Sequence, residues 1–181
     1  MGEKSHESDR LVLAGEPVPR ELAPLDARAG GAIAALLCAY MPLLPDRRAE
    51  VHALVRSLPR LDHLGAELTV VYDSASPGGL VLRLLRNRNM NLVAVAQSVF
   101  AVTGGRRYWA ASTYGRVGGG QKDLTPDLLA DLAALLDLTD DHLEALTGIR
   151  PGPRPADVVG LVWDLRRLTR GQIERVTKSL V

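Results

Sequence analysis

The chain has 181 residues, of which 46% are hydrophobic and only 4% aromatic, and its formal net charge is +1. That length suits one domain with appendages, and that apolar share excludes wholesale disorder. Scarce aromatics among abundant Ala and Leu exclude a typical β-sandwich and point to packed helices, so the expected fold class is mainly α.

Residues 1–24 are polar and broken by prolines, which reads as a flexible arm. An N-terminal helical segment follows over 25–75. Its first helix is expected from about Asp26 to Met41, stopped by Pro42. Its second, "PDRRAEVHALVRSL", opens on Pro45 and places Val51, Leu54, Val55 and Leu58 on one face. "RLDHLGAELTVVYDS" fits either a short helix or a strand at "LTVVY".

"SPGG" at 76–79 marks a boundary, with Ser76 as an N-cap. Beyond it, "LVLRLLRNRN" turns Leu80, Val81, Leu84 and Leu85 inward and Arg83 and Arg86 outward or to the rim. Asn91 caps "LVAVAQSVFAV", where Leu92, Val95, Ala96 and Val99 recur at helical spacing. "TGGRRYW" breaks that helix, and Tyr108 and Trp109 within it read as core residues, with base stacking as the alternative. The short helix "AASTYGRV" ends at Gly118, Gly119 and Gly120. Thr125 and Pro126 open a helix with a leucine stripe from Leu128 to Leu136, and "TDDHLEALTGI" closes the unit at Gly148. Five short helices thus fill 76–150.

The proline-rich joint "RPGPRPAD" leads to C-terminal helices over 151–181. Val158, Leu161, Val162, Trp163 and Leu165 nearly encircle the first of these, which suggests a dimerisation surface or packing on the N-terminal helices around Leu36 and Leu54. Thr169 and Gln172 form a capping box for the last helix.

Charge is sorted along the chain. Residues 80–122 hold seven bases (Arg83, Arg86, Arg88, Arg106, Arg107, Arg116 and Lys122) and no acid, whereas 123–150 hold seven acids and one base. A carboxylate-free cationic stretch attracts polyanions. The acids read as solvated faces of the helices behind it, favoured near helix N-termini by the dipole.

Within 80–149, "STYGRVGGGQKDLTPDLLADLAALLDLTDDHLEAL" resembles the helix-turn-helix domains of the Cro, phage lambda repressor and XRE type. Ser112, Thr113, Tyr114 and Arg116 match the recognition helix, Gly120 the turn, and Pro126 the next helix start. Leu129, Leu132, Ala133 and Leu136 match the packing stripe. The longer "TGGRRYW" replaces the family's tight turn, and Gly118 stands where an acid is usual. The resemblance implies a five-helix helix-turn-helix unit that binds double-stranded DNA, as a homodimer on paired half-sites. Its expected DNA-binding residues are Arg106, Arg107, Ser112, Thr113, Tyr114, Arg116, Gln121 and Lys122. Arg106 and Arg107 suit phosphate, and Arg116 suits a guanine edge or a phosphate.

Enzymatic readings find little support. His6, His52, His63 and His142 show no ligand spacing with Cys38, and the glycine-rich stretches lack phosphate-loop spacing. No catalytic residue, metal or cofactor is expected. Cys38 lies in the apolar run "AIAALLCAYM" and reads as a buried structural thiol in a reducing cytoplasm. "MGEKSHESDR" lacks a signal peptide's apolar core and no run reaches membrane-span length, so a cytoplasmic protein without a membrane partner is expected. The functional expectation is a sequence-specific DNA-binding transcriptional regulator. The alternatives are an architectural or mobile-element DNA binder, or a protein-interaction module such as an antitoxin.

Overall fold

The computed structural model describes residues 6–61 and 76–180, and among these it contains ten helices and no strand. The mainly α fold class is therefore observed. The helix-or-strand question over 62–75 falls outside the described residues.

The helix α2 (Gly30–Tyr40) is apolar on nearly every side, so it can be accommodated only at the centre. It is packed by α5 (Leu92–Val102) and by α10 (Arg170–Lys178). Only a narrow outward strip is exposed, at Gly31, Ala35 and Cys38, with Ala39 at its edge. Cys38 is therefore exposed, not buried as expected. A helix apolar all round gives no sequence signal for which side faces out. Gly30 is required for close approach: a Cβ there would lie 2.6 Å from the Asn89 carbonyl oxygen.

Helix α3 (Pro45–Ser57) packs on α9 (Val159–Leu165) and buries Val51 and Val55, but leaves Leu54 exposed. Helix α9 lies beneath it, with Asp164 held 3.1 Å from both His52 and Arg56. Val158, Leu161, Val162 and Leu165 are all buried within the same chain. The surface expected for dimerisation is thus occupied internally. The capping box of Thr169 and Gln172 forms, and the Gln172 amide also donates to the Pro59 carbonyl at 2.8 Å.

The arm expected over 1–24 is not an arm over its helical part. Glu7–Ala14 form α1, and Asp9 is fully buried. Its carboxylate receives both arms of the Arg88 guanidinium, at 2.6 and 2.7 Å, and the Asn87 amide at 2.7 Å. Arg166, just beyond α9, bonds Asn87 Oδ1 at 2.8 Å and the Leu22 carbonyl at 2.8 Å. Burial, reinforced by the Arg88 charge, pushes Arg166 down to about 10. Trp163 covers the group: His6 stacks on its ring at 3.4 Å, and the Arg166 and Arg88 guanidinium carbons lie 4.2 and 5.1 Å from the ring centroid. Polar residues at 6–9 looked mobile because their partners lie some 80 and 160 residues away.

Five short helices build the 76–150 region at the expected places: α4 (Pro77–Arg86), α5, α6 (Ala111–Gly118), α7 (Pro126–Ala133) and α8 (Asp140–Thr147). Ser76, Asn91 and Thr125 each accept the third following backbone N–H as N-caps. The turn from α4 to α5 passes through Asn89 at φ 67°, the left-handed position that ends many helices. The core does not stop at residues 75 and 150. One continuous apolar cluster runs from α2 through α4–α8 to α9 and α10. Arg154 of the proline-rich joint ties the C-terminal part on, with bonds to the Leu138 carbonyl at 2.5 Å and to Asp140 at 2.8 Å.

Candidate nucleic-acid interface

Helix α6 packs against α4 and α5. The contact with α4 is so close that a Cβ on Gly78 would fall 2.3 Å from the Val117 carbonyl oxygen. Tyr114, Val117 and Gly118 face inward and are buried. Ser112 and Arg116, one turn apart, face solvent, with Thr113 at the rim. At the C-terminal end the Gln121 side chain is exposed, and its N–H closes onto the Arg116 carbonyl at 2.8 Å. Eight residues make α6 about 12 Å long, close to the width of the DNA major groove.

Tyr114 departs from the expected site. It is fully buried, its hydroxyl has no hydrogen-bond partner, and burial pushes that hydroxyl up to about 12 against the pull of Arg107. An inward position in the middle of α6 makes it a core residue that cannot contact DNA. The other seven expected residues all retain some surface.

The α5–α6 loop is well ordered by local bonds. Gly104 and Gly105, at φ 60° and 83°, end α5, with the Gly105 N–H on the Phe100 carbonyl at 2.9 Å and that of Gly104 on Ala101 at 3.1 Å. Arg106 and Arg107 then both bond the carboxylate of Asp131 on α7, which is fully buried. Two guanidiniums against one carboxylate leave one net positive charge. The side chain of Arg107 is 12% exposed and that of Arg106 is 55% exposed, so Arg106 alone of the pair presents a broad solvent face. Trp109 is half-buried beneath Arg107 and Lys122, whose cationic ends lie 4.6 and 4.9 Å from its ring centroid.

The basic window is therefore divided by the fold. Arg88 is sealed against Asp9, and Arg83 donates to the Val12 carbonyl. Arg106 and Arg107 share Asp131, while Arg116 is exposed at the surface of α6. Asp131 is one of the acids expected on solvated faces, yet it lies inside, directly beneath the loop's arginines. A helical repeat of leucines gave no sign that one acid among them pointed inward.

Tyr108 was expected in the core and is instead 86% exposed, with its ring edge-on to Phe100 at 5.7 Å. It follows two arginines in a loop without apolar periodicity, so nothing in its neighbourhood specified an inward face. Among the described residues no group of three or more His, Cys, Asp or Glu is placed to hold a metal ion, and no helix is long and apolar enough to cross a membrane. Comparison of the chain with family models, curated proteins and solved structures finds no match.

Proposed function

We propose that this protein binds double-stranded DNA with sequence preference through α6, as a transcriptional regulator. The observation that carries this reading is the outward face of α6. Ser112, Thr113 and Arg116 offer hydroxyls and one guanidinium on a helix of groove-sized length, with Gln121 and Lys122 at its end. Hydroxyls and amides serve bases or phosphates, and arginine can bond guanine with both arms. Arg106, at the entry to α6, suits a phosphate. Pairing of two copies belongs to the same proposal, because one short helix reads only a few base pairs. The buried face of α9 is not available for it.

The test uses the full chain, a pool of random duplexes, and the duplex that the pool yields after selection. Binding should weaken linearly on a log–log salt plot, since phosphate contacts release counterions. Arg116→Ala should cost about 1–3 kcal/mol on the selected duplex and much less on random duplex, as loss of one base contact does. Affinity that stays flat with salt, or no enrichment from the pool, overturns the reading.

A further inference from the structure

Tyr108 is 86% exposed beside the partly exposed Phe100, so the two rings form an apolar patch on the α5–α6 loop. Phe100 is itself 41% exposed and supports the Tyr108 ring edge-on. Phe100 in turn rests on Gly105, where a Cβ would come within 3.3 Å of the ring. The backbone on either side is fixed. The Arg107 N–H bonds Thr103 Oγ1 at 3.2 Å, Asp131 holds both arginine side chains, and Trp109 is clamped by Arg107 and Lys122. Tyr108 therefore pays little ordering entropy when something covers it.

The surroundings select what that is. No carboxylate occurs between residues 80 and 122, and the exposed charge next to Tyr108 along the chain is Arg106. An acidic or polyanionic surface complements this, and a plain apolar one does not. Position narrows it further. Tyr108 precedes Ser112 by four residues, so their Cα atoms lie within about 14 Å of each other. Tyr108 therefore stands close to the start of α6.

Resting on the DNA-binding reading above, we propose that Tyr108 is a second DNA contact. Its ring packs against a deoxyribose at the edge of the stretch read by α6, supported from behind by Phe100. This contact carries no charge, so it adds affinity without adding salt dependence. It is also tolerant of sequence, because every nucleotide of a duplex presents the same sugar.

The experiment measures full-chain binding to the selected and the random duplexes across a salt series, for wild type, Tyr108→Ala, Tyr108→Phe and Arg106→Ala. Tyr108→Ala should weaken binding to both duplexes by roughly tenfold, the scale for uncovering one large apolar side chain, with the salt slope unchanged. Tyr108→Phe should bind like wild type, and Arg106→Ala should lower the slope instead. Thermal melting of each variant checks that folding is intact, which the exposure of Tyr108 makes the expected result. If wild type binds with a normal salt slope and Tyr108→Ala matches it, this proposal fails while the DNA-binding reading stands. A changed slope in Tyr108→Ala also overturns it. If wild type binds no duplex, both fail together.

Discussion

Asp9 on α1 and Asp131 on α7 are both fully buried, and each is met by arginines from the same carboxylate-free window. They do different work. At Asp9 the partner Arg88 is 1% exposed, Asn87 and Ser8 complete the bonding, and Trp163 covers the cluster. At Asp131 one partner reaches outward: Arg106 keeps more than half of its side chain in water, whereas Arg107 is 12% exposed. One carboxylate consumes a positive charge inside the molecule. The other holds two in place at the surface and cancels only one. The comparison teaches that a basic stretch of sequence is an upper bound on a basic surface, because acids far along the chain can claim its members from within.

The largest expected effect comes from breaking the sealed cluster. Arg88→Met should destabilise the fold by about 3–5 kcal/mol, since it leaves Asp9 buried without its charged partner. Chemical denaturation of the purified variant measures this. A loss under 1 kcal/mol would mean that Asp9 is not sealed as described.

Asp131→Asn should cost less, about 1–3 kcal/mol, the scale for hydrogen bonds to a charged group whose partners can turn to water. The ranking matters more than either value. If Asp131→Asn proved as damaging as Arg88→Met, the distinction between a sealed and an outward-facing pair would collapse.

Tyr114→Phe sharpens the same contrast at the smallest scale. The hydroxyl is buried without a partner, so its removal should leave stability within about 1 kcal/mol of wild type at pH 7, and DNA binding unchanged. The difference should grow with pH. Burial raises the folded hydroxyl from 10 to about 12, so its contribution is fully present below pH 10 and is lost as pH rises through 12. Arg166, lowered by burial to about 10, acts with the opposite sign in that range. The difference between variant and wild type therefore carries the test. Denaturant midpoints for the two proteins that fall in parallel from pH 9 to 12 would contradict it.

Much of this fold was legible in the sequence. The five helices from Pro77 to Thr147, their caps at Ser76, Asn91 and Thr125, and the box at Thr169–Gln172 follow from local chemistry, because a cap and its N–H partner lie three residues apart. The polar face of α6 was equally legible, apart from Tyr114, whose ring needed α4 and α5 around it before its direction was settled.

What only the tertiary structure decided was where each charge and ring ended up. Sequence alone determined the helices after α1, their order, and the separation of basic from acidic stretches, because these depend on neighbours within a few residues. It could not show that Asp9 would claim Arg88 across 79 residues, or that Asp131 would reach back 25 residues to the loop's arginines. Nor could it show that α9 would spend its apolar face on the same chain, or that Tyr108 would be held in solvent. Those outcomes depend on which helix faces meet, and a buried charge is satisfied by whatever the packing brings within bonding distance, however remote along the chain.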